Sequence, residues 1–220
     1  MCGRFALYES PEIIKDHFGL DSIPDLPQNY NIAPGTHIVG VSYYEHSLSL
    51  MLFKWGFIPH WSKDKKTGYK MINARMESVW GKHSFRSAIR YRRCLIPASG
   101  FYEWKKTEDS KQPYFITVAD SSIFAMAGIW ETWEDKSSGE IIDSCAILTT
   151  EAKGIVKDIH DRMPVIIDRE GYQEWLDQMI QSRDKLNIKQ VSEDNLEAWP
   201  VSSRVNSPKN NSEELIQELK

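Results

Sequence analysis

Five strand-like runs follow one another between residues 93 and 150: "RCLIPA", "GFYEW", "PYFITVA", "SIFAMAGIWETW" and "DSCAILTT". Each alternates or clusters apolar, β-branched and aromatic residues and is bounded by turn signals. Upstream, "HIVGVSYY" and "LSLMLFKWGF" read as a strand pair with a turn near Glu45 and His46, and "MINAR" as a short strand. Downstream, "RMPVIID" and "EAWPVSSRV" read the same way. Helical patterns are few. "ESPEIIKDHFGL" has Ser10 as N-cap, Pro11 in its first turn and Gly19 at its stop. "ESVWGKHSFRSAIRYRR" reads as mostly helical with a break at Gly81, and "EAKGIVKDIH" and "REGYQEWLDQMI" complete the set. "DSIPDLPQNYNIAPG" and "WGFIPHWSKDKKTGYK" read as loops. Because the helices do not alternate with the strands, the expected class is α+β: a mostly antiparallel, β-rich core, barrel- or sandwich-like, with a few peripheral helices.

A chain of 220 residues with a 41% hydrophobic share suffices for one domain with a sizeable core. The expected division is a domain over residues 1–205 and a polar, loosely held C-terminal tail over 206–220. No apolar run approaches the ~20 residues that span a bilayer, and the start lacks a signal-peptide pattern. A cytoplasmic or nucleoid location is expected. Three widely spaced cysteines, Cys2, Cys94 and Cys145, indicate neither a disulfide framework nor a metal site. Cys94 and Cys145 read as buried strand residues. The net charge of −4 offers no global basic field. Yet Arg75, Lys82, Arg86, Arg90, Arg92 and Arg93 face a single acid, Glu77, which forms a local basic patch or a solvated face.

Four short segments hold polar groups that a core would not select: "CGR", "NAR", "YEW" and "HDR". Cys2 and Arg4, Asn73 and Arg75, and His160 and Arg162 are each two positions apart, so in extended backbone each pair shares a face. A reactive or hydrogen-bonding group would then stand beside a guanidinium suited to phosphate or carboxylate oxygens. Glu103, between Tyr102 and Trp104, is either a desolvated proton carrier or a salt-bridge partner of Lys105 or of the basic patch. His160 is a proton carrier or a helix-end residue, and Asn73 a positioning group or a cap. Trp61 stacks on a base or packs in the core, and Pro34 abuts a ligand or makes a plain turn.

The motifs "MCGRFA", "YNIAPG", "WGFIPHW", "INARMES", "RCLIPASGFYEWKK", "AGIWETW", "CAILTTEA" and "IHDRMPVII", in this order, resemble the SOS-response-associated peptidase (SRAP) family of abasic-site processing proteins, from residue 1 to about residue 205. The resemblance implies an α+β fold with a basic single-stranded-DNA channel. It implies an enzyme of lyase- or peptidase-like character that forms a DNA–protein crosslink through Cys2, exposed by removal of Met1. By resemblance Asn73 positions the reacting group, and Glu103 and His160 handle protons. Arg4, Arg75 and Arg162 contact phosphates, and Thr149, Pro34 and Trp61 line the DNA site. The implied partner is single-stranded DNA with abasic sites, engaged by a monomer, with no cofactor, metal or membrane.

The chemistry of an N-terminal cysteine agrees with this role. An α-amine with a pKa of about 7.7–8.0 is partly neutral near pH 7 and attacks an aldehyde, and the adjacent thiol can close a thiazolidine. Neighbouring guanidiniums are expected to lower the pKa of both groups. Two other classes stay open. One is an N-terminal-nucleophile thiol hydrolase, although Arg4 stands where the glutamine amidotransferases that begin "MCGI" carry an apolar residue. The other is a passive single-strand-binding module.

Overall fold

The computed structural model describes residues 2–44 and 47–219. Thirteen strands run in chain order: β1 Phe5–Leu7, β2 Asn29–Ile32, β3 His37–Tyr44, β4 Ser47–Trp55, β5 Asn73–Arg75, β6 Arg93–Ala98, β7 Gly100–Lys106, β8 Lys111–Val118, β9 Phe124–Glu134, β10 Ile141–Glu151, β11 Arg162–Pro164, β12 Ile166–Ile167 and β13 Leu196–Pro200. The helices are α1 Pro11–Phe18, α2 Ala88–Tyr91, α3 Gly154–Lys157 and α4 Tyr172–Leu176. The expected α+β class holds, and the turn near Glu45 and His46 lies outside the described residues.

The strands form two sheets. In the larger one β10, β4, β3, β6 and β9 are paired in sequence, and β9 pairs back to β10, so five strands close a barrel. All these pairings are antiparallel except β10 with β4, where Ser144 meets Lys54 and Cys145 meets Trp55. Five strands enclose little volume, and the sequence answers with small residues. A Cβ at Gly40 would stand 2.8 Å from the Phe53 ring, and one at Gly128 would stand 2.7 Å from Cys94 Sγ. The second sheet has the order β13-β8-β7-β1-β2. Both Cys94 and Cys145 are fully buried on their strands, as expected.

Helix α1 is built as its sequence directs. The Ser10 hydroxyl accepts from Ile13 N–H, Pro11 occupies the first turn, and Gly19 closes the helix at φ +65°. Other expectations need correction. The loop "DSIPDLPQNYNIAPG" contains β2, and β1 was not foreseen. The stretch "ESVWGKHSFRSAIRYRR" is largely a chain of turns, with α2 as its only helix. "RMPVIID" is two short strands, separated at Val165, whose N–H donates to Leu148 O on β10 and whose carbonyl accepts from Ala127 N–H on β9. The polar terminal segment is packed rather than loose. Leu215 is fully buried with Ala6, Tyr102, Phe115, Val201 and Val205, and Trp199 Nε1 donates to Ile216 O. No helix among the described residues is long and apolar enough to cross a membrane.

Candidate active site

The N-terminal segment runs antiparallel to β7: Phe5 pairs with Phe101, and Tyr102 N–H donates to Arg4 O at 2.9 Å. This register carries Cys2 toward Glu103. From the larger sheet, β10 is flanked near its end by β5 and β11, with Ile147 opposite Asn73, Thr149 opposite Arg75 and Glu151 opposite Arg162. Asn73 Nδ2 donates to Cys2 O at 2.8 Å, joining the two sheets at the site. His160 Nε2 lies 3.9 Å from Glu103 Oε2. Cys2, Asn73, Glu103 and His160, spread over 159 positions of sequence, are thus one cluster.

Burial controls its electrostatics. Cys2 is fully buried and Glu103 is 2% exposed. Desolvation raises the Glu103 carboxyl to about 7. Burial first, and then the neighbouring Glu103, push the Cys2 thiol well above its ordinary value, so it is held as S–H at neutral pH. The expectation that guanidiniums lower the thiol pKa is therefore corrected: desolvation and the neighbouring Glu103 raise it. His160 is pulled below the usual histidine range, mainly by desolvation, and is neutral at pH 7. Its Nδ1 lies 2.9 Å from Arg162 N and 3.2 Å from Arg162 O, which anchors the ring with Nε2 toward Glu103. Asn73 Oδ1 is buried with no hydrogen-bond partner among the described residues, on the amide whose Nδ2 holds Cys2 O. The arrangement holds a protonated thiol, a carboxyl that exchanges its proton near neutrality and an imidazole 3.9 Å from it.

The arginines divide. Arg75 is exposed at the end of β5. Arg162 makes a bidentate ion pair with Glu77, both bonds 2.9 Å, and its Nη2 donates to Thr149 O at 2.7 Å. Arg4 Nη1 donates to Asn31 Oδ1 at 2.7 Å and to Val205 O at 2.8 Å, so part of its fork serves the fold. Only Asn73 and Arg75 lie wholly within a strand. Cys2 and Arg4 precede β1, and His160 precedes β11, so the shared-face rule applies to one pair of the three. Thr149 is buried on β10 beside the cluster. Pro34 lies half-buried in the turn after β2, and Trp61 is exposed in the loop after β4, 5.3 Å from the His83 ring. Neither is hydrogen-bonded to the cluster.

The basic patch is smaller than its sequence. Arg93 is buried and donates to the carbonyls of Ile89 and Ile180, and Arg92 pairs with the buried Glu131 at 2.7 Å. Arg75, Lys82 and Arg86 form the exposed part. Sequence reasoning missed Asn31, which orients Arg4, and the clamping role of Glu77. The latter had a signal: Glu77 follows Arg75 by two positions and is the one acid of the patch.

The comparisons with known proteins cover the whole molecule. The family model "SOS response associated peptidase (SRAP)" matches residues 1–208. The chain is 43% identical to the abasic site processing protein YoaM of Bacillus subtilis, over 98% of this chain and 97% of that one. It is 34% identical to the abasic site processing protein YedK of Escherichia coli, over 99% of each. A crystal structure of a protein from Bacteroides thetaiotaomicron superposes with a TM-score of 0.89 at 25% identity, covering all of both chains. Two full-length relatives above 30% identity and a family model spanning nearly every residue lead to one assignment: this chain belongs to the SOS response associated peptidase family.

Proposed function

We propose that this protein captures abasic sites in single-stranded DNA by forming a covalent crosslink through Cys2 after loss of Met1. The observation that carries the reading is the convergence of the buried Cys2 and Glu103 with the partly exposed Asn73 and His160 in one cluster. Relatives named for abasic-site processing supply the substrate.

The sugar of an abasic site opens to an aldehyde. The neutral α-amine of Cys2 attacks that carbon, and the carbinolamine expels water to give an imine. The thiol then adds across the C=N bond: sulfur bonds to carbon and a proton goes to nitrogen, closing a five-membered ring. One water leaves overall. Both steps need a group that takes and returns protons near pH 7, and Glu103 at about 7 meets this need. Because the thiol is held protonated, its proton is transferred as sulfur attacks, with the Glu103 carboxylate as acceptor. His160, with Nε2 3.9 Å from Glu103 Oε2, stabilises the charge of that carboxylate when it forms. Asn73 fixes the Cys2 carbonyl and offers Oδ1 to the amine or to the opened sugar's hydroxyl. Arg75 and Arg162 hold flanking phosphates, and Arg4, Thr149, Pro34 and Trp61 line the strand's path.

Intact mass spectrometry tests this. A single strand with one abasic site should add its mass minus one water to the protein. Cys2→Ala should form no such product, and one extra residue in front of Cys2 should abolish ring closure while leaving the thiol in place. A heat-stable adduct in the Cys2→Ala variant would refute the proposal.

A further inference from the structure

A cleft of about 500 Å³ opens beside the reaction centre, lined by Glu103, Trp104, Lys111, His160 and Asn206. Its lower wall is the reactive pair of Glu103 and His160. Its outer wall comes from the hairpin of β7 and β8, where Lys106 stands directly opposite Lys111. Like charges facing each other across an antiparallel pair repel. Lys105 adds a third cation to the hairpin, whose turn carries Glu108 and Asp109, and the hairpin stands apart from the Arg75 and Arg162 edge on the barrel sheet. The Lys111 side chain is exposed, and its ammonium has no hydrogen-bond or ion-pair partner among the described residues. Its charge reaches into the cleft, where it helps to keep His160 neutral. Trp104, two strand positions before Lys106 on the same face, is fixed there by its indole N–H bond to Asn206 Oδ1 at 2.8 Å. The cleft thus joins the Glu103 carboxyl to an exposed cation and a positioned aromatic ring along one lining.

We propose that this cleft is a second strand-binding subsite, in which Lys111 contacts a backbone phosphate on one flank of the abasic nucleotide while Arg75 and Arg162 serve the other. The proposal rests on the reading of the protein as a single-strand binder. It adds that the strand is held from both sheets, so that the reacting sugar is tethered on either side of Glu103. Two tethers restrict the sugar more than one and favour the near-attack geometry at Cys2.

The test uses Lys111→Gln and Lys111→Arg with three single-stranded oligonucleotides that carry the abasic site centrally, near the 5′ end or near the 3′ end. On the central site Lys111→Gln should slow adduct formation several-fold, with Lys111→Arg close to wild type. Its slope of log affinity against log salt, measured by anisotropy on an intact strand, should fall in magnitude by ~0.7, the value for one phosphate contact on a single strand. On one of the two end-placed substrates, which lacks the phosphate that Lys111 reaches, wild type and Lys111→Gln should react equally. Equal slowing on all three strands would place Lys111 as a tuner of His160 and overturn the proposal, as would no change on any strand or an unchanged salt slope. If wild type forms no adduct at all, the crosslinking reading fails instead, and the anisotropy slope alone decides the role of Lys111.

Discussion

The raised pKa of Glu103 links the proposed proton transfer to stability, and the link is measurable. An ordinary glutamate ionises at 4.5, and the buried Glu103 does so at about 7. Between these values the folded protein binds a proton that the unfolded chain has lost. Stability must therefore fall as pH rises through this window and level off above pH 7. A gap of about 2.5 pH units at about 1.36 kcal/mol per unit gives about 3 kcal/mol of lost stability at pH 8, an upper figure for an isolated site. Glu103→Gln removes the titration while keeping size and one hydrogen-bonding oxygen. The variant should match wild type near pH 4.5 and exceed it by up to about 3 kcal/mol at pH 8, read from urea denaturation at each pH. The same variant should lose the proton transfers, so stability and crosslinking rate should change in opposite directions. A stability difference that does not grow between pH 5 and pH 8 would refute the buried-carboxyl argument, whatever the activity.

Glu77 clamps both terminal nitrogens of Arg162 and adds a negative charge beside the proposed phosphate path. Glu77→Gln should strengthen binding to an undamaged single strand at low salt by roughly fivefold, the effect of about 1 kcal/mol for one charge a few ångströms away in water. Weaker binding by anisotropy would mean that the ion pair is needed to aim Arg162. Leu215 lies fully buried against Tyr102, next to Glu103. Leu215→Ala should cost about 2–5 kcal/mol in chemical denaturation, whereas a loss under about 0.5 kcal/mol would contradict its place in the core.

Long strands were legible because their chemistry is local. "SIFAMAGIWETW" and "DSCAILTT" carry enough β-branched and aromatic residues to specify β9 and β10 by themselves. The three-residue β1 and four-residue β2 were not, since their extended backbone comes from pairing with each other and with β7. In "ESVWGKHSFRSAIRYRR" the apolar period suggested a helix, but Val79, Phe85, Ala88 and Ile89 are all buried against the core, and tertiary packing took the chain there in successive turns. Asn73, Glu103 and His160 stood out as polar residues in apolar or aromatic settings. Which arginines would be spoken for was not legible. Arg4, Arg92 and Arg93 are engaged by Asn31, Glu131 and the carbonyls of Trp175 and Ile180, far away in sequence, and only long-range folding brings those partners near.

The buried thiol resolves a conflict in the proposed chemistry. A thiolate exposed beside arginines would be the stronger nucleophile, but it would also be open to oxidation before any lesion arrives. With Met1 still attached, a thiol held protonated and out of solvent is inert until a partner takes its proton. The carboxyl placed to do so is itself balanced near neutrality by the same desolvation. Removing water from this corner thus performs two tasks at once: it protects Cys2 and it tunes Glu103. Opening the site to solvent should undo both together, giving a faster-oxidising cysteine and a poorer proton acceptor. The tight antiparallel seat of the N-terminal segment on β7, secured by Asn73 from the other sheet, is in this account a requirement of the reaction as much as of the fold.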